Sequence, residues 1–98
     1  MFEIKETKEY KKWFNKLNAS KVKNKINVRV RRIEVQEYFG DYKIVDDGIY
    51  ELRVNYGPGY RVYYKHISKK TILLLIGGNK TTQKSDIKKA KQISADYY

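Results

Sequence analysis

The feature that most constrains this chain is the stretch from residue 43 to residue 76, where four short segments of alternating or continuous apolar character are separated by nothing but turn signals. Lys43–Asp46, Ile49–Tyr56, Tyr60–His66 and Thr71–Ile76 are divided by Asp47-Gly48, Gly57-Pro58-Gly59 and Ser68-Lys69-Lys70. Asp-Gly is a hairpin signal, and a period of two between such breaks marks strands. Connections this short join only antiparallel neighbours, because a parallel crossover needs a dozen or more residues. The central part of the chain is therefore expected to be a meander. Its last strand, Thr71–Ile76, is apolar on both faces and should lie in a covered position, with Gly77-Gly78 ending it.

The flanks have a different period. Phe2–Lys5 alternates and reads as a short first strand. Behind Thr7, a helix cap, Tyr10, Trp13, Phe14 and Leu17 form one stripe at helical spacing. Ser20 caps a second helix with Val22, Ile26, Val30 and Ile33 on one face, ending near Phe39, with Gly40 as its left-handed stop. Ile87, Ala90, Ile93 and Tyr97 give a final helix from about Thr82. The order is β-α-α-β-β-β-β-α. An α+β fold follows: one domain over residues 1–98, with an antiparallel sheet packed on one face by a helical hairpin and a C-terminal helix. There is no cysteine, so neither a disulfide nor a thiolate metal site is available. No acidic cluster or His pair has metal-ligand spacing, and no metal or other cofactor is expected. The run Met1-Phe2-Glu3-Ile4-Lys5 lacks a signal-peptide core, and the longest apolar run, Ile72–Ile76, falls far short of the ~20 residues that span a bilayer. A cytoplasmic protein without a membrane role is expected.

Charge supplies the first functional pointer. Lys and Arg total 22 against 11 acids, a formal net charge of +11. Such a field attracts polyanions. If Tyr56 faces Tyr60 across the Gly-Pro-Gly turn, side-chain alternation puts Tyr50, Leu52, Val54, Val62, Tyr64 and His66 on a greasy face. Glu51, Arg53, Asn55, Arg61, Tyr63 and Lys65 then share the other, paired as Glu51 with Lys65, Arg53 with Tyr63 and Asn55 with Arg61. Arginine forks suit phosphate. Asn79-Lys80 at the end of the last strand and Lys84 at the start of the last helix bring further cations to one end of the sheet. Arg53, Arg61, Lys80 and Lys84 are thus candidates to converge on a phosphate. Tyr63 is a candidate to stack on a base, with Lys65 and Asn79 as further substrate contacts. Gly77-Gly78-Asn79-Lys80 lacks Walker spacing. The lone His66 falls on the greasy face, more a core-edge residue than a catalyst.

The runs Gly48-Ile-Tyr-Glu-Leu-Arg53, Tyr56-Gly-Pro-Gly-Tyr-Arg-Val-Tyr-Tyr64 and Leu73-Leu-Leu-Ile-Gly-Gly-Asn-Lys-Thr-Thr-Gln83, followed by Asp86-Ile87 and Lys89-Ala90, closely resemble the RelE/ParE toxin superfamily. The nearest subgroup is the phage-type addiction-module killer proteins, which are HigB-like. The resemblance implies a toxin of a type II toxin–antitoxin module. It further implies metal-independent cleavage of mRNA on the ribosome; the ParE branch instead poisons DNA gyrase. It casts Arg61 as the phosphate-stabilising arginine, Lys80 as a second basic residue after the last strand, and Arg53 as a basic residue of the preceding strand. Glu51 or a lysine is then the general base. This chain departs from the pattern by carrying Glu51 and Arg53 where the best-studied ribonuclease has a pair of lysines. The partners implied are mRNA, the ribosome and a cognate antitoxin of helix-turn-helix, HigA-like type, with operator DNA reached only through that antitoxin.

Overall fold

The computed structural model describes residues 1–97. Those residues form a five-stranded sheet and three helices, in the order β1 (Glu3–Glu6), α1 (Lys8–Asn15), α2 (Ser20–Gln36), β2 (Tyr42–Asp46), β3 (Ile49–Val54), β4 (Tyr60–Ser68), β5 (Thr71–Asn79), a single 3₁₀ turn (Lys80–Thr82) and α3 (Gln83–Asp96). This is the expected α+β order. Across the sheet the strands lie β1-β5-β4-β3-β2, so the meander from β2 to β5 is continuous. The expectation of an antiparallel sheet holds for those four strands. It fails for β1, which pairs parallel with β5 through Ile4 opposite Ile72. β1 and β2 form the two edges of the sheet and run antiparallel to each other, so the two helices between them carry the chain across to the far edge in the opposite direction.

The helices do not share a face, contrary to expectation. Tyr10, Val22, Ile26 and Ile33 of α1 and α2 close one core with Leu52, Val62, Tyr64, Ile72 and Leu74. Ala90 and Ile93 of α3 close a second core with Tyr63, Leu73 and Leu75. Sequence alternation explains the split: β5 is apolar on both faces, and only a cover on each side removes Leu73 and Leu75 as well as Ile72 and Leu74 from water. Burying one such side chain is favourable by about 1.5–3 kcal/mol.

Several boundaries also differ. Thr7 caps α1 as expected, accepting from the Tyr10 amide at 2.9 Å, and its hydroxyl donates to the Leu75 carbonyl at 2.6 Å, which pins α1 to β5. Ser20 is the first residue of α2, not its cap; Ala19 precedes the helix and offers no side-chain bond. α2 ends at Gln36, and the left-handed stop is Glu37 (φ 55), with Gly40 (φ 66) a second left-handed residue further on. Strand β5 runs through Gly77-Gly78 to Asn79. A bulge in the β4–β5 register beside Tyr64 turns Gly77 toward Trp13 and Gly78 toward Asp86. A Cβ on either glycine would drive into that neighbour, so the pair is a packing requirement and not a strand end.

Candidate functional site

The β3–β4 hairpin is two residues out of the expected register. Val54, not Tyr56, faces Tyr60, and the true pairs are Glu51 with Tyr63 and Arg53 with Arg61. The loop folds on itself: the Tyr56 amide donates to the Val54 carbonyl and the Gly59 amide to the Tyr56 carbonyl, each at 3.0 Å. Gly57 (φ 58) and Gly59 (φ 84) supply the left-handed residues that this tight path needs. A two-residue slip keeps every side chain on its expected face but changes its neighbours.

The change in neighbours has electrostatic consequences. Two arginines now stand directly opposite each other, an arrangement that is repulsive by itself. The carboxylate of Glu51, 0% exposed, lies beside both. Its Oε1 accepts from Arg53 Nε at 3.0 Å and lies 3.8 Å from Arg61 Nε. Its Oε2 accepts from the Tyr63 hydroxyl at 3.1 Å and from Gln83 Nε2 at 2.6 Å. Burial, reinforced by the Glu51 charge, raises the Tyr63 phenol well above its ordinary value, which keeps it protonated as a donor. Tyr63 is itself 0% exposed, covered by α3, so it braces Glu51 and presents no ring for a base to stack on. One carboxylate thus serves two guanidiniums and leaves their positive charge in excess.

That excess opens toward the turn. Arg61 is only 8% exposed. Its Nη1 donates to the Tyr60 carbonyl at 3.2 Å, and its Nε meets no hydrogen-bond acceptor among the described residues. A guanidinium has five N–H donors, and most of this fork is left for something else. It lines a shallow pocket of about 300 Å³ with Lys80, Asn55, Tyr56 and the Gly57-Pro58-Gly59 turn. The Lys80 amide donates to the Gly59 carbonyl at 2.8 Å and closes the far wall. A Cβ on Gly59 would stand 3.5 Å from Arg61 Nη1 and 3.7 Å from Lys80 Cβ, in the mouth between the two cations.

Of the residues expected to converge, Arg61 and Lys80 share this pocket and Arg53 stands beside it, across the strands from Arg61. Lys84 is exposed on the first turn of α3 and does not line it. Lys65 is four residues along β4 from Arg61 and donates at 3.4 Å to the Ser94 carbonyl near the other end of α3, so it belongs to a different region. Asn79 acts through the backbone: its Oδ1 accepts from the Thr81 and Thr82 amides at 2.9 and 3.2 Å, building the turn that carries Lys80. Gln83 was missed, since a single glutamine in a helical first turn carries no pattern. Arg29 was missed too. Buried in part between α2 and the sheet, it donates to the Arg53 carbonyl and, at 2.8 Å, to the Phe39 carbonyl, fixing the end of β3. The aromatic residues Phe2, Phe39, Tyr50 and Tyr64 flank His66 at ring separations of 5.2–6.1 Å, and the residue itself stays exposed at the core's edge.

Residues 12–97 match the family described as phage derived protein Gp49-like (DUF891). The chain belongs to that family. A relative in sequence is a protein of Haemophilus influenzae strain Rd described as uncharacterised, 45% identical over 94 residues that cover 96% of this chain and 94% of the relative. The fold of this chain resembles that of RelE. A double-arginine variant of the E. coli toxin RelE in the free state superposes with a TM-score of 0.69 at 18% identity, covering 94% of this chain and 97% of that one. RelE in the intact E. coli RelBE toxin–antitoxin complex gives 0.67 at 17% identity, covering 81% and 96%. At such identities the likeness is one of fold.

Proposed function

We propose that this chain is the toxin of a type II toxin–antitoxin module, of the HigB-like kind, and that it cleaves mRNA on the ribosome without a metal. The observation that carries this reading is the Arg61 guanidinium: nearly closed to solvent, short of acceptors and open to a pocket that also holds Lys80. A phosphodiester supplies the missing acceptors in the fork geometry that arginine prefers. The RelE fold and the RelBE complex support the module and a cognate antitoxin. We further propose that this antitoxin is of helix-turn-helix type.

In the proposed reaction the 2′-OH attacks the adjacent phosphorus, the bond to the 5′ oxygen breaks, and the products are a 2′,3′-cyclic phosphate and a free 5′-OH. Negative charge grows on the non-bridging oxygens as the new bond forms. Arg61 and Lys80 stabilise it, in a site that the protein has already organised. Besides Arg61, which stays protonated, Lys80 and Tyr56 are the ionisable groups lining the pocket, and we assign the proton transfers to them. Glu51 is closed to solvent, with both carboxylate oxygens engaged, so we assign it to positioning Arg53 and Arg61 and not to proton abstraction.

Mapping of transcript 5′ ends after induction tests the reading against a gyrase poison. Discrete new 5′ ends within coding regions, lost with Arg61→Ala, are expected. An SOS response with intact transcripts would instead place the chain with the ParE branch.

A further inference from the structure

The Arg61 pocket does not stand alone. A second concavity of about 420 Å³ runs between α2 and the end of β3, lined by Lys21, Lys25, Val28, Arg32 and Asn55 among others. Asn55 is a wall of both concavities. Tyr56, which lines the first, lies under the ammonium of Lys25, 5.6 Å from the ring centre. Lys21 and Lys25 are one helical turn apart and exposed, and Arg32 continues the same stripe two turns on. Among the described residues no carboxylate pairs with these three cations. Asp41, the acid at this end of β3, is engaged by Asn55 Nδ2 at 3.2 Å. Arg29, midway along the stripe, is turned inward and holds the Phe39 and Asp41 carbonyls at 2.8 and 3.1 Å, which fixes α2 against the sheet.

We propose that this groove is a track for single-stranded RNA, which leaves the Arg61–Lys80 phosphate, passes Tyr56 and Asn55, and lays its backbone along Lys25 and Lys21 on α2. The inference rests on the nuclease reading and adds the substrate's path: a strand several nucleotides long, gripped through its phosphates on one side of the scissile bond. Three observations favour RNA over an acidic protein segment. The groove is continuous with a pocket whose guanidinium suits phosphate. Lys21, Lys25 and Arg32 line one side of the groove along α2, an extended row of cations that an extended phosphate backbone can follow. Tyr56 with Lys25 above it offers the mixed aromatic and cationic support that unstacked bases use.

The test measures binding of fluorescent 2′-O-methyl oligoribonucleotides, which lack the attacking hydroxyl and stay intact, to the full chain and to Lys21→Ala/Lys25→Ala. Both positions are exposed on a helix, where alanine is well tolerated. For a ten-nucleotide strand the double variant is expected to weaken binding at least about ten-fold near 0.1 M salt and to reduce the salt slope by about 1.4, two phosphate contacts at about 0.7 each. For a three-nucleotide strand, too short to reach α2 from the pocket, binding should stay within about two-fold of the parent. Equal ten-nucleotide affinities for parent and double variant would overturn the track while leaving the Arg61 site intact if Arg61→Ala still abolishes cleavage. A double-variant defect alongside normal cleavage by Arg61→Ala would overturn the site and keep the track. Displacement of the ten-nucleotide strand by polyglutamate at equal charge concentration would overturn RNA as the occupant in favour of an acidic protein.

Discussion

Glu51 shows how one residue sets the character of the site. It lies at 0% exposure with donors from Arg53, Tyr63 and Gln83 converging on it. Truncation to Glu51→Ala leaves a phenol, an amide and the Arg53 guanidinium without their acceptor, and Arg61 without its neighbouring counter-charge. Breaking a buried charge cluster in this way typically costs about 3–5 kcal/mol. At about 4–8 °C per kcal/mol for a domain of this size, thermal unfolding should drop by more than about 10 °C, whereas Glu51→Gln, which keeps an acceptor oxygen, should lose less. His66 makes a separate prediction. Desolvation among its aromatic neighbours lowers its pKa below the ordinary 6.5. The unfolded chain then binds the proton more readily, so stability should fall as pH drops below about 6.5 and level off below the depressed folded value. The carboxylates held low, Glu37 and Asp46, titrate below this window. Unfolding midpoints at pH 7.5 and 5.5 should therefore converge in His66→Phe; an unchanged pH dependence would reject the assignment.

At the scale of elements, the element order, the meander from β2 to β5 and the three helical stripes were legible because each rests on a period, and a period survives errors of a residue or two. The faces of β3 and β4 were legible for the same reason. Their register was not. It depended on whether the Gly57-Pro58-Gly59 turn closes directly on Tyr56 and Tyr60, and the internal bond from Gly59 to Tyr56 lengthens the loop instead. Placement of α3 was also hidden, since apolar spacing in a helix does not say which side of a sheet it covers. That choice buried Glu51 and Tyr63, which alternation alone would leave on an open face. Gly78 is where the choice is recorded: an added Cβ would meet the Asp86 carboxylate and the Thr82 hydroxyl of the α3 entry. Gly78→Ala should destabilise by about 1–3 kcal/mol in urea unfolding, by overpacking, and should loosen the Gln83 bond to Glu51. Retained stability would show that α3 is free to shift away from the strand.

At the scale of the whole molecule, the charge of +11 and the local pocket do different work. Under the proposed function the field gathers RNA from solution without regard to sequence, and its effect weakens with salt. The buried carboxylate, the opposed arginines and the Gly-Pro-Gly turn then give one phosphate a place where two cations reach it. Removing an exposed cation far from the pocket should slow association and leave the chemical step unchanged. Removing Arg61 should do the reverse, since loss of one such electrostatic donor typically costs about 100–1000-fold in rate. The direct test is single-turnover cleavage of mRNA on programmed ribosomes by the parent chain and by Arg61→Ala, with circular dichroism confirming that both are folded. Cleavage by the parent and a rate reduced at least about 100-fold in the variant are expected. A folded Arg61→Ala chain that cuts at the parental rate would contradict the proposed role of Arg61.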